Sequence, residues 1–173
     1  MSEKKFLDGY SGQTTRQLID MEDEYRVDSL VLAFEEAIQK KEESLGTASL
    51  SPAERVILAV EALEREVNNG GYEQFFSNSS VEYSGDVVQA LISIGCREQA
   101  SIAQKALDTV IPSGSEIDAE AIEDLLMDAD DQLLDALSEC DDAFWSASES
   151  IEDSLFAYVK ANQASITLPA DAG

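Results

Sequence analysis

Apolar residues along this chain recur at intervals of three and four, the spacing of one face of an α-helix. Leu18, Tyr25, Leu30, Phe34, Ala37 and Ile38 predict a first long helix ending near Gly46. Ser51-Pro52-Ala53-Glu54 reads as a helix start, because serine suits the cap, proline the first turn, and Glu54 completes a capping box. Val56, Ile57, Val60 and Leu63 then face inward until Asn69-Gly70-Gly71, where a glycine can take the left-handed conformation that closes a helix. YEQFFSNSS predicts a short aromatic helix and a polar turn. Buried helices are expected in GDVVQALISIG, closed by Gly95, and in REQASIAQKALDTVI, ended by Pro112. A last helix, AFWSASESIEDSLFAYVKAN, turns Phe144, Ile151, Leu155 and Tyr158 inward. No hairpin signal or period-two run stands out. The expected fold is therefore all-α, one compact multi-helix domain over residues 1–173, with residues 1–14 and 165–173 loose.

One further periodic stretch carries an unusual polar face. Ser115 opens it, and IEDLLMDADDQLLDALSECDD, residues 122–142, predicts a continuous amphipathic helix. Glu120, Asp124, Asp128, Asp131, Asp135, Glu139 and Asp142 follow one another at steps of three or four. Like charges at that spacing face each other on a helix and cost roughly 0.2–0.5 kcal/mol per pair. At about 100° per residue, Ile122, Leu125, Leu126, Ala129, Leu133, Ala136 and Leu137 share a core arc opposite those acids. Glu123, Asp130 and Asp141 form a second acidic flank. Met127 and Leu134 lie between the flanks, covered by a neighbouring helix or part of a contact seam.

Charge extends this pattern to the whole chain. There are 36 Asp and Glu against 11 Lys and Arg, a net charge of −25. From residue 116 onward 16 acids face one base, Lys160, so the excess is concentrated in the last third. A nucleic-acid binder working through a basic patch is excluded, since phosphate neutralisation needs clustered Lys and Arg. An anionic membrane would repel the chain, and no apolar run approaches the roughly 20 residues of a membrane span. The polar start lacks the apolar core of a signal peptide. Cys96 and Cys140 sit singly on helical patterns as reduced core thiols, and a cytoplasmic protein is expected.

Little catalytic chemistry is available. The absence of histidine removes the commonest general base and the usual zinc sites. Cys140 lies between Glu139 and Asp141, whose charge opposes a thiolate. Gly70-Gly71 lacks the lysine and spacing of a phosphate loop. Asp128, Asp130, Gln132 and Glu139 match positions of a calcium loop, but Leu133 stands where its sharp turn needs glycine. The expectation is a binding module with no cofactor or metal, not an enzyme.

Acids one helical turn apart lie about 5.4 Å apart along the axis. Duplex DNA carries one charge per about 1.7 Å, both strands counted. A single stripe is too sparse to imitate a duplex; several acidic faces, or one doubled by a two-fold homodimer, come close. The first helix offers a second face in Asp20, Glu22, Asp23, Glu24, Asp28, Glu35 and Glu36. A merely solvated acidic surface is the plainer alternative.

VEALEREVNNGGYEQFFSNSS, residues 60–80, resembles a family of small, acidic, all-helical bacterial proteins. The resemblance rests on Asn69, Gly70, Gly71, Tyr72, Gln74, Phe75, Phe76 and Asn78, and it implies structural roles for them. The glycines would end a helix, the aromatics fill the core, and Asn78 cap the next turn. In size and acidity the whole chain is similar to a DNA-mimic member of that family. This implies a dimer whose carboxylates occupy the DNA-binding face of a helix-turn-helix repressor and block its operator binding. The candidate phosphate-mimicking residues come from the helical reading: Glu120, Asp124, Asp128, Asp130, Asp131, Asp135, Glu139 and Asp142, with Asp20, Glu24, Asp28 and Glu35. A helix-turn-helix factor or other basic DNA-binding protein is the expected partner, with no direct nucleic-acid or membrane binding. An acidic chaperone that sequesters basic nucleoid-type proteins is the alternative.

Overall fold

Eight α-helices and no β-strand are formed by residues 3–112 and 114–172, the residues described in a computed structural model of the chain. The all-α expectation holds. Backbone proximity divides the chain into two compact units, residues 1–61 with 150–173, and residues 62–149.

The first unit is built on α2 (Val27–Leu45), against which α1 (Thr15–Asp20) and α8 (Ile151–Ala161) pack. Leu18, Leu30, Phe34, Ala37 and Ile38 are fully buried, as their spacing predicts, while Tyr25 is half-buried. The expected single first helix is instead two. After a 3₁₀ turn at Met21–Asp23 the backbone extends, because Lys5 bridges it: Lys5 N–H donates to the Glu24 carbonyl and Arg26 N–H to that of Lys5, each at 2.8 Å.

Both terminal segments, expected to be loose, are tied down. Tyr10 N–H donates to Glu36 at 2.7 Å and Leu7 N–H to Ser29 Oγ at 3.0 Å. Near the other end Ile166 and Leu168 are buried. Thr167 N–H donates to Glu54 at 2.7 Å, and the Asp171 carboxylate accepts from Thr15 and from Leu168 N–H. Met1, Ser2 and Gly173 lie outside the described residues.

Helix α3 (Pro52–Ser77) begins in the first unit and continues into the second. Its start is the expected capping box: Glu54 N–H donates to Ser51 Oγ at 3.2 Å, and Ser51 N–H to Glu54 Oε2 at 2.9 Å. The helix breaks where glycine predicts it, at Gly70 and at Gly71, whose φ is +78°.

In the second unit α5 (Arg97–Val110) packs against both α4 (Val87–Ser93) and α7 (Asp131–Ser146). The short α6 (Ala119–Met127) touches α5 and the 3₁₀ turn Ser79–Tyr83. Two boundaries differ from expectation here. Helix α7 runs to Ser146, and α8 starts afresh at Ile151, where Ser150 Oγ accepts from Asp153 N–H. The acidic helix is not continuous: Asp118 rather than Ser115 caps α6, and the chain leaves helical geometry at Asp128 and Asp130.

The physical reason is capping chemistry. Asp130 is extended, and its carboxylate accepts from Leu133 N–H at 2.9 Å, a helix start written inside an apparently continuous helix. Asp131 then sits in the first turn, where negative charge meets the exposed N–H groups favourably. A break here also relieves the repulsion that a continuous stripe would accumulate across Asp124, Asp128 and Asp131.

Candidate protein-binding surface

The acids of the two units do different work. In the first unit they are largely engaged. Asp20 pairs with Arg16 at 2.9 Å, Glu24 with Lys5 at 4.0 Å, Glu22 with Lys160 at 2.7 Å, and Asp28 with Arg26. Glu35, read from the sequence as a surface acid, is only 5 % exposed and accepts from Gln39 at 3.1 Å. Its place on α2 turns it toward the interior, so it cannot meet a partner. Glu36 accepts from Tyr10 N–H and Lys40, and the Lys40 hydrogen bond, then that from Tyr10, lowers its pKa. The proposed second acidic face is therefore mostly neutralised within the unit.

The second unit holds 20 acids against three bases, Arg65, Arg97 and Lys105. Several of those acids also serve the fold by accepting backbone N–H groups. Glu149 holds the start of α5, accepting from Glu98 and Gln99 at 3.0 and 2.9 Å, while Glu98 accepts from Ser148 N–H at 3.2 Å. Asp118 and Asp130 cap α6 and α7.

What remains is concentrated on α6, α7 and the break between them. Glu120, Asp124, Asp128, Asp130, Asp131, Asp135, Glu139 and Asp142 are all exposed. Among the described residues only Glu139 of these eight has an ion-pair partner, Lys105 at 3.4 Å. The break replaces one straight band by two short faces, with Asp128, Asp130 and Asp131 gathered within four residues between them. Met127, in the same place, is 84 % exposed, whereas Leu134 is half-buried. Leu125, assigned to the core arc, is exposed as well. Ile122 and Leu137 are the members of that arc that are fully buried.

The motif residues lie in the interior and around the α3 bend. Tyr72, Phe75 and Phe76 are at most 1 % exposed, and Tyr72 meets Phe144 edge-on with ring centres 6.3 Å apart. Tyr72 N–H donates to Asp141 at 2.7 Å. Glu66, which sequence reasoning did not single out, accepts from Gln74 Nε2 at 2.7 Å and Asn78 Nδ2 at 2.8 Å, joining the two sides of the bend. Asn78 does precede the Ser79–Tyr83 turn, but its side chain is spent on Glu66 and makes no capping bond. The side chain of the exposed Asn69 makes no hydrogen bond among the described residues, and Asn68 accepts from Trp145 Nε1 at 3.3 Å.

No three of the described Asp, Glu or Cys side chains converge as a metal site would require. Cys96 and Cys140 are buried thiols that do not pair. The Cys140 pKa is raised, first by burial and then by Asp141 and Glu139, against the pull of Lys105. Burial, more than the neighbouring acids, suppresses its reactivity. No described helix is long and apolar enough to cross a membrane.

An exposed, acid-rich surface with few internal partners is free to present its charge to another molecule. No curated protein and no solved structure matches the chain. A family model described as DMP19-like protein matches residues 48–162, a span containing the α3 bend and the whole α6–α7 surface. The chain thus belongs to the DMP19-like family, a family of DNA-mimic proteins.

Proposed function

We propose that the chain binds the DNA-binding face of a transcriptional repressor, a helix-turn-helix protein, and blocks its operator binding. The observation that carries this reading is the set of exposed acids on α6 and α7 with almost no cations of their own. Carboxylates already neutralised, like those of Asp20 and Asp28, have less to offer a basic partner. On α6–α7 they stand opposite the partner's Lys, Arg and helix N-termini, the groups that position a phosphate backbone.

The acidic corner at Asp128, Asp130 and Asp131 supplies a local charge density that a regular helix does not. Association of two copies would bring a second such corner, and exposed Met127 beside it supports a homodimer seam. Selection of the partner then rests on shape and charge spacing, because the surface presents no base edges.

The test uses the immobilised chain and an Asp128→Asn, Asp131→Asn, Asp135→Asn variant against a cell lysate. The wild-type chain should retain a DNA-binding protein that salt elutes, and should displace labelled operator from that protein. Equal capture by the triple variant, or a captured protein that keeps its operator, would overturn the proposal.

A further inference from the structure

Trp145, the chain's one tryptophan, stands in the last turn of α7 and is 55 % exposed. At about 100° per residue it shares an arc of about 80° with Asp131, Asp135 and Asp142. Those three acids are exposed and have no ion-pair partner among the described residues. The indole therefore continues the acid stripe, one turn beyond Asp142. It is also held in place, since Nε1 donates to Asn68 Oδ1 at 3.3 Å, and both residues belong to the second unit. A side chain that is already ordered loses little rotamer freedom when a partner meets it.

The exposed ring is open in the same sense as the acids beside it. In the first unit Lys5, Arg26, Lys40 and Lys160 stand over the rings of Tyr25, Phe6, Tyr10 and Phe156. No described cation stands over Trp145. An indole face can stack on a nucleotide base or on a cation. A nucleotide brings phosphate, which Asp135 and Asp142 repel, whereas a cation is drawn by the ring and the carboxylates together. Guanidinium fits best, because it is planar, more weakly hydrated than an ammonium, and keeps its in-plane N–H donors free while it stacks.

We propose that Trp145, with Asp142, receives an arginine side chain of the basic partner, so that the acid stripe of α7 ends in an arginine-selective contact. The inference rests on the reading of α6–α7 as a docking surface for a basic protein. It adds chemical selectivity to that surface, which exposed carboxylates alone supply only weakly.

A four-arginine peptide and its four-lysine counterpart, titrated into the ¹⁵N-labelled chain at about 0.05 M salt, test the contact. A sole tryptophan gives a single indole N–H resonance, so the local site is read directly. That resonance should shift saturably with both peptides, at a several-fold lower concentration of the arginine one. In the variants the amides of Asp142 and Ser146 report the same site. Trp145→Leu should lose the arginine preference, with arginine-peptide affinity falling about two- to fivefold, the scale of an exposed cation–π contact. Trp145→Phe keeps an aromatic face without the Asn68 bond and should retain most of the preference, which separates ring chemistry from any loss of stability. An indole resonance that stays still while α6–α7 amides shift would overturn the proposal. So would equal affinity for the two peptides in the wild-type chain, or an arginine preference that survives in Trp145→Leu. The outcome is separate from that of mimicry: a chain that displaces operator without arginine selectivity at the indole sinks only this inference. Selectivity in a chain that displaces no operator sinks only the repressor reading.

Discussion

The backbone N–H of Tyr72 donates to the Asp141 carboxylate at 2.7 Å, joining the residue after the α3 bend to the middle of α7. Burial raises the Asp141 pKa, and the Tyr72 hydrogen bond lowers it by a smaller amount. Asp141 is thus an acid retained for its geometry, one step from acids with no internal partner.

Asp141→Asn keeps an acceptor for Tyr72 while removing the half-buried charge. Because the folded pKa is raised, the folded state binds more protons than the unfolded one just above the unfolded value of about 3.9. The carboxylate's contribution to stability therefore worsens as pH rises through that window. The variant should be more stable than wild type at neutral pH, with the difference vanishing below about pH 3.9, as read by urea melts at both ends. Asp141→Ala should instead lose about 1–3 kcal/mol at neutral pH, because Tyr72 N–H is left unpaired.

Gly71→Ala should destabilise the second unit sharply. At φ +78° with ψ −174° the backbone occupies a region that is essentially glycine-only, costing a side-chain-bearing residue about 1–3 kcal/mol. A Cβ would also fall within the Asp141 carboxylate, which the Tyr72 hydrogen bond holds in place. Pairing Gly71→Ala with Asp141→Ala should recover part of the loss, and thermal melts of the three variants measure how much.

In the first unit, Glu54 is fully buried and bridged by Lys41 Nζ at 2.8 Å to both oxygens. Lys41→Met should cost about 3–5 kcal/mol, because it leaves a buried carboxylate without its cation. A Lys41→Met, Glu54→Met double variant should recover stability relative to the single one. Denaturant midpoints of both decide the matter.

The acidic corner separates cap from stripe. Asp130→Ala removes the α7 cap and should cost about 0.5–2 kcal/mol. Asp135→Asn should do the opposite, relieving repulsion from Asp131 and Glu139 at roughly 0.2–0.5 kcal/mol per pair at low salt. If the segment were one continuous helix in solution, Asp130→Ala would be nearly neutral.

Partner binding should follow the engaged and unengaged acids. Changing Asp124, Asp128 and Asp135 to Asn should weaken capture and displacement, while Asp20→Asn and Glu24→Gln should change both little. Displacement should also fall as salt rises from about 0.05 to 0.5 M, since the Debye length shrinks from above 10 Å toward 3 Å. Displacement independent of salt would contradict electrostatic mimicry. Sedimentation of the wild-type and Met127→Lys chains tests the homodimer, which the substitution should weaken.

Local chemistry was legible in the residues themselves. The helical period, the Ser51–Glu54 capping box, the glycine bend and the buried Tyr72, Phe75 and Phe76 each depend on neighbours a few positions away. So did the net charge and its bias toward the C-terminal third, which need no geometry at all. The break at Asp128–Asp130 is a nearer miss. Its signal was present, since an aspartate three residues before an N–H is a cap, but in a run of acids one cap does not stand out from the rest.

Which acids are spent and which are presented was decided by tertiary structure alone. Glu35 and Asp128 are both acids on helical patterns, yet one is buried against α2's own unit and the other is exposed. The carboxylates of Asp171, Glu54 and Glu149 find their backbone N–H partners 156, 113 and 51 positions away. A hydrogen bond depends on distance and direction in space, and separations of that length leave no period along the chain. The sequence by itself therefore determined an all-helical, strongly acidic protein, and the packing of its helices determined where that acidity is displayed.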